Sequence, residues 1–375
     1  MLPYVDARFV GVSQSQFGRG PTKGWCPGVL DPMETGDGWL LRLRVPGGTI
    51  TADGLRIVSG VAKRYGSGLV DITARANLQI RGVALDSIRA AADRLVDAGL
   101  ALADAAVDAR RAVVASPLTG HDPASVGDAG PVVADIVTRL VAELDGTLPS
   151  KFGVVVDDGG SWPLGDVDGD VRVQASAAGW VVHRSAAASF VPTSDPAEAV
   201  LGAARLCIAR GARMDRVAAV IPADLATAQP ARTLGLGRHR DADRCNLVAA
   251  PFLGRLDAET LVDIAGVAER CRAAVRLTPD HSIALCGIAT DDAPSALAAM
   301  RGLGLVVDPD DGRAMVSACV GTRGCASAHA DTWAAALRLA ARSPMSRAHL
   351  SGCAKGCGAP SRVAHLVADT NGDFR

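Results

Sequence analysis

Two stretches of this chain carry the same pattern, and a repeat of that size narrows the possible folds more than any other feature. In the first stretch, Leu41, Leu43 and Val45 alternate with Arg42 and Arg44, the mark of a strand with one buried face. A Pro46-Gly47-Gly48 turn follows. Thr51 then stands as the N-cap of a helix with the apolar stripe Leu55, Val58, Val61, Ala62 and Tyr65, stopped by Gly66. Two more strands are predicted over 69–73 and 77–83. The unit recurs about 205 residues later. There Pro251-Phe-Leu-Gly-Arg-Leu-Asp257 parallels the turn, and Asp257 takes the cap position. Leu261, Ile264, Val267, Ala268 and Cys271 repeat the stripe, Leu277-Thr278 matches Ile72-Thr73, and Gly287 matches Gly82. Each unit reads as half of a ferredoxin-like sheet, so the expected fold class is α+β, internally duplicated.

The segments behind the two units correspond as well. Arg111-Ala-Val-Val-Ala-Ser-Pro-Leu118 is similar to Arg313-Ala-Met-Val-Ser-Ala-Cys-Val320, which sets Pro117 against Cys319. Leu148-Pro-Ser-Lys-Phe152 falls where His349-Leu-Ser-Gly-Cys353 falls. The chain then divides into an amino-terminal arm (1–24), a first ferredoxin-like half (25–110) and a first α/β region without paired cysteines (111–235). A second half (236–300) and a cysteine-bearing region (301–375) follow. Within the first α/β region a helix is predicted over 125–144, with Val133, Ile136, Val137, Leu140 and Val141 on one side. Strands over 152–156 and 171–173 flank a Gly/Asp loop, and Arg172, His183 and Arg184 add local positive potential. The first copy continues past the point where the second ends. Either the second copy is naturally short or carboxyl-terminal residues are missing.

Four of the nine cysteines form two tight pairs, Cys319-x5-Cys325 and Cys353-x3-Cys357, with glycines between and beside them. Ionised thiols repel one another, so such a group is stable when oxidised or bound to metal. Disulfides fit poorly, because the start of the chain has no apolar leader core and the composition is that of a cytosolic protein. Zinc knuckles use two to four intervening residues, an awkward match to five and three. An iron–sulfur cluster on four thiolates fits best. Cys207, Cys245, Cys271 and Cys286, set singly among apolar residues, read as ordinary core cysteines. No apolar run approaches the roughly 18 residues that span a bilayer, and the expected location is cytoplasmic. A net charge of −1 recommends neither nucleic acid nor an anionic membrane as partner.

Duplication supplies an internal control. Arg75, Asn77, Gln79 and Arg81 share one face of a strand; their counterparts are Asp280, Ser282, Ala284 and Cys286. One face carries two guanidiniums and two amides, its twin small groups and a carboxylate. Arginine forks suit carboxylates, which points to an anionic ligand on the first copy alone. The cysteines show the converse asymmetry, so each half contributes one part of a shared site. Lys151 joins the candidates by its alignment with the Cys353 segment.

The cysteine pairs, the strand Thr73-Ala-Arg-Ala-Asn-Leu-Gln-Ile-Arg81, the segment Leu148-Pro-Ser-Lys-Phe152 and the duplication together resemble the sulfite/nitrite reductase iron–sulfur superfamily. Arg44-Val-Pro-Gly-Gly48 and His349-Leu-Ser-Gly-Cys-Ala-Lys-Gly-Cys357 are similar to its cobalamin-pathway branch. The resemblance implies a [4Fe–4S] cluster on Cys319, Cys325, Cys353 and Cys357 and a tetrapyrrole bound across the halves. In that branch the substrate is precorrin-3A, hydroxylated with O₂ at a meso carbon while a ring acetate closes a γ-lactone. A second, mononuclear non-haem iron accompanies that activity, and a ferredoxin or an NADH-linked reductase supplies electrons. Arg75 and Arg81 are then expected on substrate carboxylates, with Asn77 and Gln79 as orienting donors. Lys151, Arg323 and Lys355 follow, the last two also able to stabilise a reduced cluster. No ligand set for the second iron is evident, although His121, His329, His349 and His365 lie near the right segments. The Ala354-Lys355-Gly356 spacer and the chain length separate the chain from sirohaem-dependent nitrite or sulfite reductases, the alternative reading. A third reading, from another class, is an iron–sulfur electron carrier or tetrapyrrole-binding module without catalysis. It leaves the arginine face without a task.

Overall fold

Both repeats fold from the same local devices. In the computed structural model, the helices Ala52–Tyr65 and Ala258–Arg270 start alike: Thr51 Oγ1 accepts from the Gly54 N–H and Asp257 Oδ1 from the Thr260 N–H. The preceding turns agree in dihedral angle, with Gly47 and Gly48 at φ 60° and 70° and Leu253 and Gly254 at 59° and 70°. The hairpin loops share a closing bond. The Asn77 N–H donates to Thr73 Oγ1 and the Ser282 N–H to Thr278 Oγ1. The structure describes residues 26–165, 167–184, 191–214, 234–342, 347–359 and 363–375. The arm expected over 1–24 lies outside them.

The two half-sheets are interlocked, which periodicity did not reveal. The first runs Met33–Thr35, Gly38–Leu43, Leu78–Val83, Leu69–Ile72 and then Arg255–Asp257 from the second copy. The second runs Gly235–Arg238, Arg244–Ala249, Ile283–Ala289, Ala274–Leu277 and then Thr49–Ile50 from the first. Each copy lends the other its fifth strand, so neither sheet is complete alone. Both helices lie on the inner faces, and Leu41, Leu43, Leu55 and Ile80 share one buried core with Leu247, Leu261, Ile264 and Leu285. His281 Nδ1 donates to the Ile72 carbonyl across the two copies.

Behind each half stands an α/β region. The first is a five-stranded sheet in the order Val191–Thr193, Gly179–His183, Val171–Ser176, Val154–Asp157 and Val113–Ala115, backed by helices Ala129–Glu143 and Pro196–Arg210. The second has three parallel strands, Val316–Ala318, Ala348–Ser351 and Ala364–Val367, with helix Thr332–Ala340.

The strand registers correct two sequence alignments. Val113 pairs with Val154 as Val316 pairs with Ala348, so 154–157 is the twin of 348–351. The segment 148–152, Lys151 included, therefore lies at the opposite end of its strand from the position that matches Cys353. The same registers place Ser116, not Pro117, at the position of Cys319. Hydrogen bonds agree, since Ser116 Oγ accepts from the Asp158 N–H at 3.0 Å and Cys319 Sγ from the Gly352 N–H at 3.1 Å.

Candidate functional site

Two matched junctions join the half-sheets to the α/β regions, and they differ in polarity. The outer face of the second half-sheet is apolar at its centre, with Asn246 and Arg276 beside it. Val248, Ala284 and Cys286 are covered by Val114 and Val155 and by a loop that inserts Trp162, Leu164 and Val167. The registers set Arg42 at the position of Val248, Gln79 at that of Ala284 and Arg81 at that of Cys286. Ser317 and His349 stand at the positions of Val114 and Val155. The twin of the Trp162 loop is the Cys353–Cys357 loop, whose intervening residues Ala354, Lys355 and Gly356 offer no bulky apolar group. A hydrophobic plug closes one junction, and thiols with small residues stand at the other.

The polar face spans from one α/β region to the other. At one end, Arg75 stands in the turn before strand Leu78–Val83, with Ala76 at φ 52°, and not on the strand as the alternation predicts; it donates to the Asp168 carbonyl, and a Cβ on Gly153 would come within 2.8 Å of its guanidinium. Lys151 lies two residues before Gly153 with φ +68°, a left-handed conformation costly for a side chain of this size. In the middle, Arg42 Nε donates to Gln79 Oε1 at 3.0 Å. Burial lowers the Arg42 pKa, Cys26 opposes that, and the like charges of Arg44 and Arg75 lower it further. Arg44 is paired with Asp108 at 2.8 Å. Asn77 Oδ1 accepts from the Val45 N–H at 2.9 Å, which ties this side chain to the neighbouring strand end. Arg42 was passed over in the sequence. Its signal was the alternation that put it opposite Gln79, a cross-strand pairing visible only once the register is known.

Arg81 requires a correction. It is 7% exposed and its fork holds Asp37 through Nε and Nη2, both at 2.8 Å, with Nη1 3.2 Å from Asp71. Asp71 is shared with Arg255 of the exchanged strand at 2.6 Å. Burial works to lower the Arg81 pKa, and Asp71 and Asp37 outweigh it, so the net shift is upward. Two carboxylates already neutralise this fork, which leaves no charge for a substrate acid. Its contact points elsewhere: a Cβ on Gly324 would lie 2.9 Å from Asp37 Oδ2, and one on Gly36 would lie 2.6 Å from the Cys325 Cα. Arg81 holds the hairpin that abuts the first cysteine loop. Arg323 is likewise occupied, forked onto Asp331 at 3.0 Å beside the Trp333 ring. Lys355 Nζ reaches Ser327 Oγ at 3.4 Å and so links the two cysteine loops.

The four cysteines of the two pairs form one group. The Cys357 thiol is held above its ordinary range by desolvation first and then by Cys319, Cys353 and Cys325, while Lys355 pulls it down. The loops approach through glycines. A Cβ on Gly352 would meet Ala328 at 2.8 Å and the Gly321 Cα at 3.3 Å, so larger residues would push the loops apart. Among the described residues, no three His, Cys, Asp or Glu side chains converge tightly enough to share one metal ion. A single zinc would draw its sulfurs to within about 4 Å of one another. A cluster gives each thiolate its own iron, so its four ligands need not meet at one point, and a set of four cysteines that act on one another electrostatically has the donor chemistry for it. Cys286, by contrast, is fully buried with its thiol pushed up to about 12 by burial, an inert core residue.

For a mononuclear iron the described residues do not fit. His121 Nδ1 is 3.0 Å from His239 Nε2, His349 lies between Ser317 and the Cys357 carbonyl, and His365 bonds Ser351. None of the three joins a second and third ligand.

The family model for the nitrite/sulfite reductase ferredoxin-like half domain matches twice, at 31–98 and 238–303, over the two half-sheets. A precorrin-3B synthase from Sinorhizobium sp. is 31% identical over 377 residues, covering 90% of this chain and 79% of that protein. The chain belongs to the precorrin-3B synthase family. A ferredoxin–nitrite reductase from Leptolyngbya laminosa is 31% identical over 138 residues, a match to 35% of this chain and 27% of that protein. Among solved structures, Mycobacterium tuberculosis NirA superposes with a TM-score of 0.69 at 20% identity, over 90% of this chain and 72% of that one. That likeness establishes the fold of this chain. No described helix is long and apolar enough to cross a membrane.

Proposed function

We propose that the chain is an oxygen-dependent precorrin-3A hydroxylase, forming precorrin-3B in cobalamin biosynthesis. The observation that carries this reading is the polar face of the first half-sheet, set against a four-thiol group where its twin is plugged by Trp162, Leu164 and Val167. In this reading residues 25–110 bind substrate and 301–375 hold a [4Fe–4S] cluster on Cys319, Cys325, Cys353 and Cys357. When bound, that cluster supplies one-electron transfer from a ferredoxin or an NADH-linked reductase.

The chain's own residues do the rest by position and charge. Precorrin-3A is fringed with acetates and propionates, and a protein of net charge −1 must gather its cations locally. Arg42 and Arg75 form the carboxylate forks, Lys151 adds a point charge beside Arg75, and the Asn77 and Gln79 amides orient the ring. An acetate held by arginine stays ionised, the form in which its oxygen closes a lactone. One atom of O₂ enters the product; the other leaves as water, with two electrons and two protons from the donor side. Lys355 stands beside the thiols, where positive charge stabilises added electrons, and Arg323 acts further out through Asp331.

The test uses anaerobically prepared protein, analysed for iron, sulfide and tetrapyrrole, then incubated with precorrin-3A, reductant and ¹⁸O₂. The expected product is a hydroxylated lactone carrying one labelled oxygen. No such product from protein with an intact cluster overturns the reading. A haem-type Soret band in the isolated protein favours a sirohaem reductase instead.

A further inference from the structure

Behind the second cysteine loop lies a hydrogen-bonded ladder that its twin lacks. Ser317, on Val316–Ala318, lies 2.9 Å through Oγ from His349 Nδ1 on the neighbouring strand, and His349 Nε2 lies 3.2 Å from the Cys357 carbonyl oxygen. A carbonyl only accepts, so His349 carries its proton on Nε2 and accepts at Nδ1 from the serine hydroxyl. Both positions are apolar in the first copy, Val114 and Val155, where no thiol follows. His349 is 2% exposed. A buried imidazole in a strand that its twin fills with valine costs desolvation unless every ring nitrogen is bonded, as here.

A second histidine completes the floor. His365 Nε2 is 2.8 Å from Ser351 Oγ, and the two rings stand 5.5 Å apart. A Cβ on Gly356 would lie 3.0 Å from His365 Cε1, and one on Gly358 would lie 3.8 Å from His349 Cε1. The loop that carries Cys353 and Cys357 therefore rests on two imidazoles, one of which grips its main chain.

We infer that His349 is a positioning residue for the metal centre: by holding the Cys357 carbonyl from behind, it fixes the direction in which the Cys357 sulfur points. This rests on the reading that the four cysteines bind a cluster. The consequence is kinetic retention. An unheld Cys357 swings away from its iron, and the cluster is lost from that corner. It is also electronic, because the hydrogen bond fixes the Cys357 carbonyl dipole next to its own sulfur, and freeing that dipole changes the spectrum of the reduced centre.

The experiment compares anaerobically purified wild type with His349→Phe, His349→Gln and Ser317→Ala. It follows iron release to a ferrous chelator and the electron paramagnetic resonance of the dithionite-reduced protein. His349→Phe, which keeps a ring and removes the donor, is expected to release iron about tenfold faster, the factor for one buried hydrogen bond. His349→Gln, whose amide nitrogen overlies Nε2, restores most of the retention, and Ser317→Ala falls between. A merely structural role lowers thermal stability equally in Phe and Gln variants and leaves the resonance unchanged. Wild-type release rates and resonance in all three variants overturn the inference. Wild-type protein that holds no iron or sulfide after anaerobic reconstitution overturns instead the cluster reading beneath it.

Discussion

The two junctions between half-sheet and α/β region share a backbone and differ in side chains. At the second half-sheet, Val248, Ala284 and Cys286 meet Val114, Val155, Trp162, Leu164 and Val167 in an apolar cluster, with Asn246 and Arg276 at its side. At the first, the matched positions hold Arg42, Gln79 and Arg81, with Ser317, His349 and the cysteine loop in the twin places. The lesson concerns division of labour after duplication. One junction spends its residues on burial and holds the lobes together; the other keeps polar groups whose desolvation is costly without a ligand. Even the anchors of the loops follow this rule, with Ser116 and Cys319 accepting equivalent backbone hydrogen bonds through oxygen and sulfur.

Breaking the comparison at its thiols has the largest expected effect. Cys357→Ser is expected to abolish cluster iron and activity, read by metal analysis and visible absorption. The reverse graft, Ser116→Cys, is expected to add no iron, because Asp122 and Gly159 occupy the places of Cys325 and Cys353 and Asp122 is already bonded to Ser161. Next comes a charge in the apolar junction. Val248→Arg buries an unpaired guanidinium and is expected to cost about 3–5 kcal/mol, enough to prevent folding, as judged by soluble yield and circular dichroism. Trp162→Ala removes the plug and is expected to cost about 3–5 kcal/mol in denaturant unfolding while the iron content stays at wild-type level. The converse exchange on the polar face, Arg42→Val, is expected to leave stability within about 1 kcal/mol but to weaken precorrin-3A binding roughly ten- to a hundredfold, measured by fluorescence titration.

The smallest effect is a pH dependence of the apolar side. His121 is shifted from 6.5 to about 4 by burial first, then by Arg276 and His239. Its folded pKa is depressed, so between those values the unfolded chain binds a proton that the folded chain does not. The histidine's contribution is therefore complete above pH 6.5 and is lost as the pH falls toward 4. Because His121 is only half-buried, solvent screens the effect. His121→Asn should flatten the fall of the urea midpoint over that window; an unchanged slope would assign the acid sensitivity to other groups.

Much of the architecture was legible because it is written in short-range periodicity. The stripe from Leu55 to Tyr65, its Thr51 cap and its copy from Leu261 to Cys271 each need only a turn or two of chain to be recognised. The cysteine pairs stood out for the same reason. What escaped were partners chosen at long range. Arg81 read as a free fork on a strand face, and only the fold brings Asp37 and Asp71 onto it. Lys151 joined the candidates through an alignment with the Cys353 segment that the registers do not keep. It stays a candidate only because it stands two residues before Gly153, which the Arg75 guanidinium approaches. Arg42 read only as a polar residue alternating with Leu41 and Leu43 until the register set it opposite Gln79.

The sequence by itself determined that two copies of one unit exist, which faces they bury, and that four thiols belong together, since alternation, helical spacing and cysteine intervals are properties of neighbouring residues. Tertiary structure alone decided that the copies exchange strands, that a tryptophan loop closes one junction while thiols stand at the other, and which carboxylates hold Arg81. A guanidinium is available or spent according to the carboxylates within about 3 Å of it, and Asp37 and Asp71 reach Arg81 through the hairpin and the sheet, not through any local pattern.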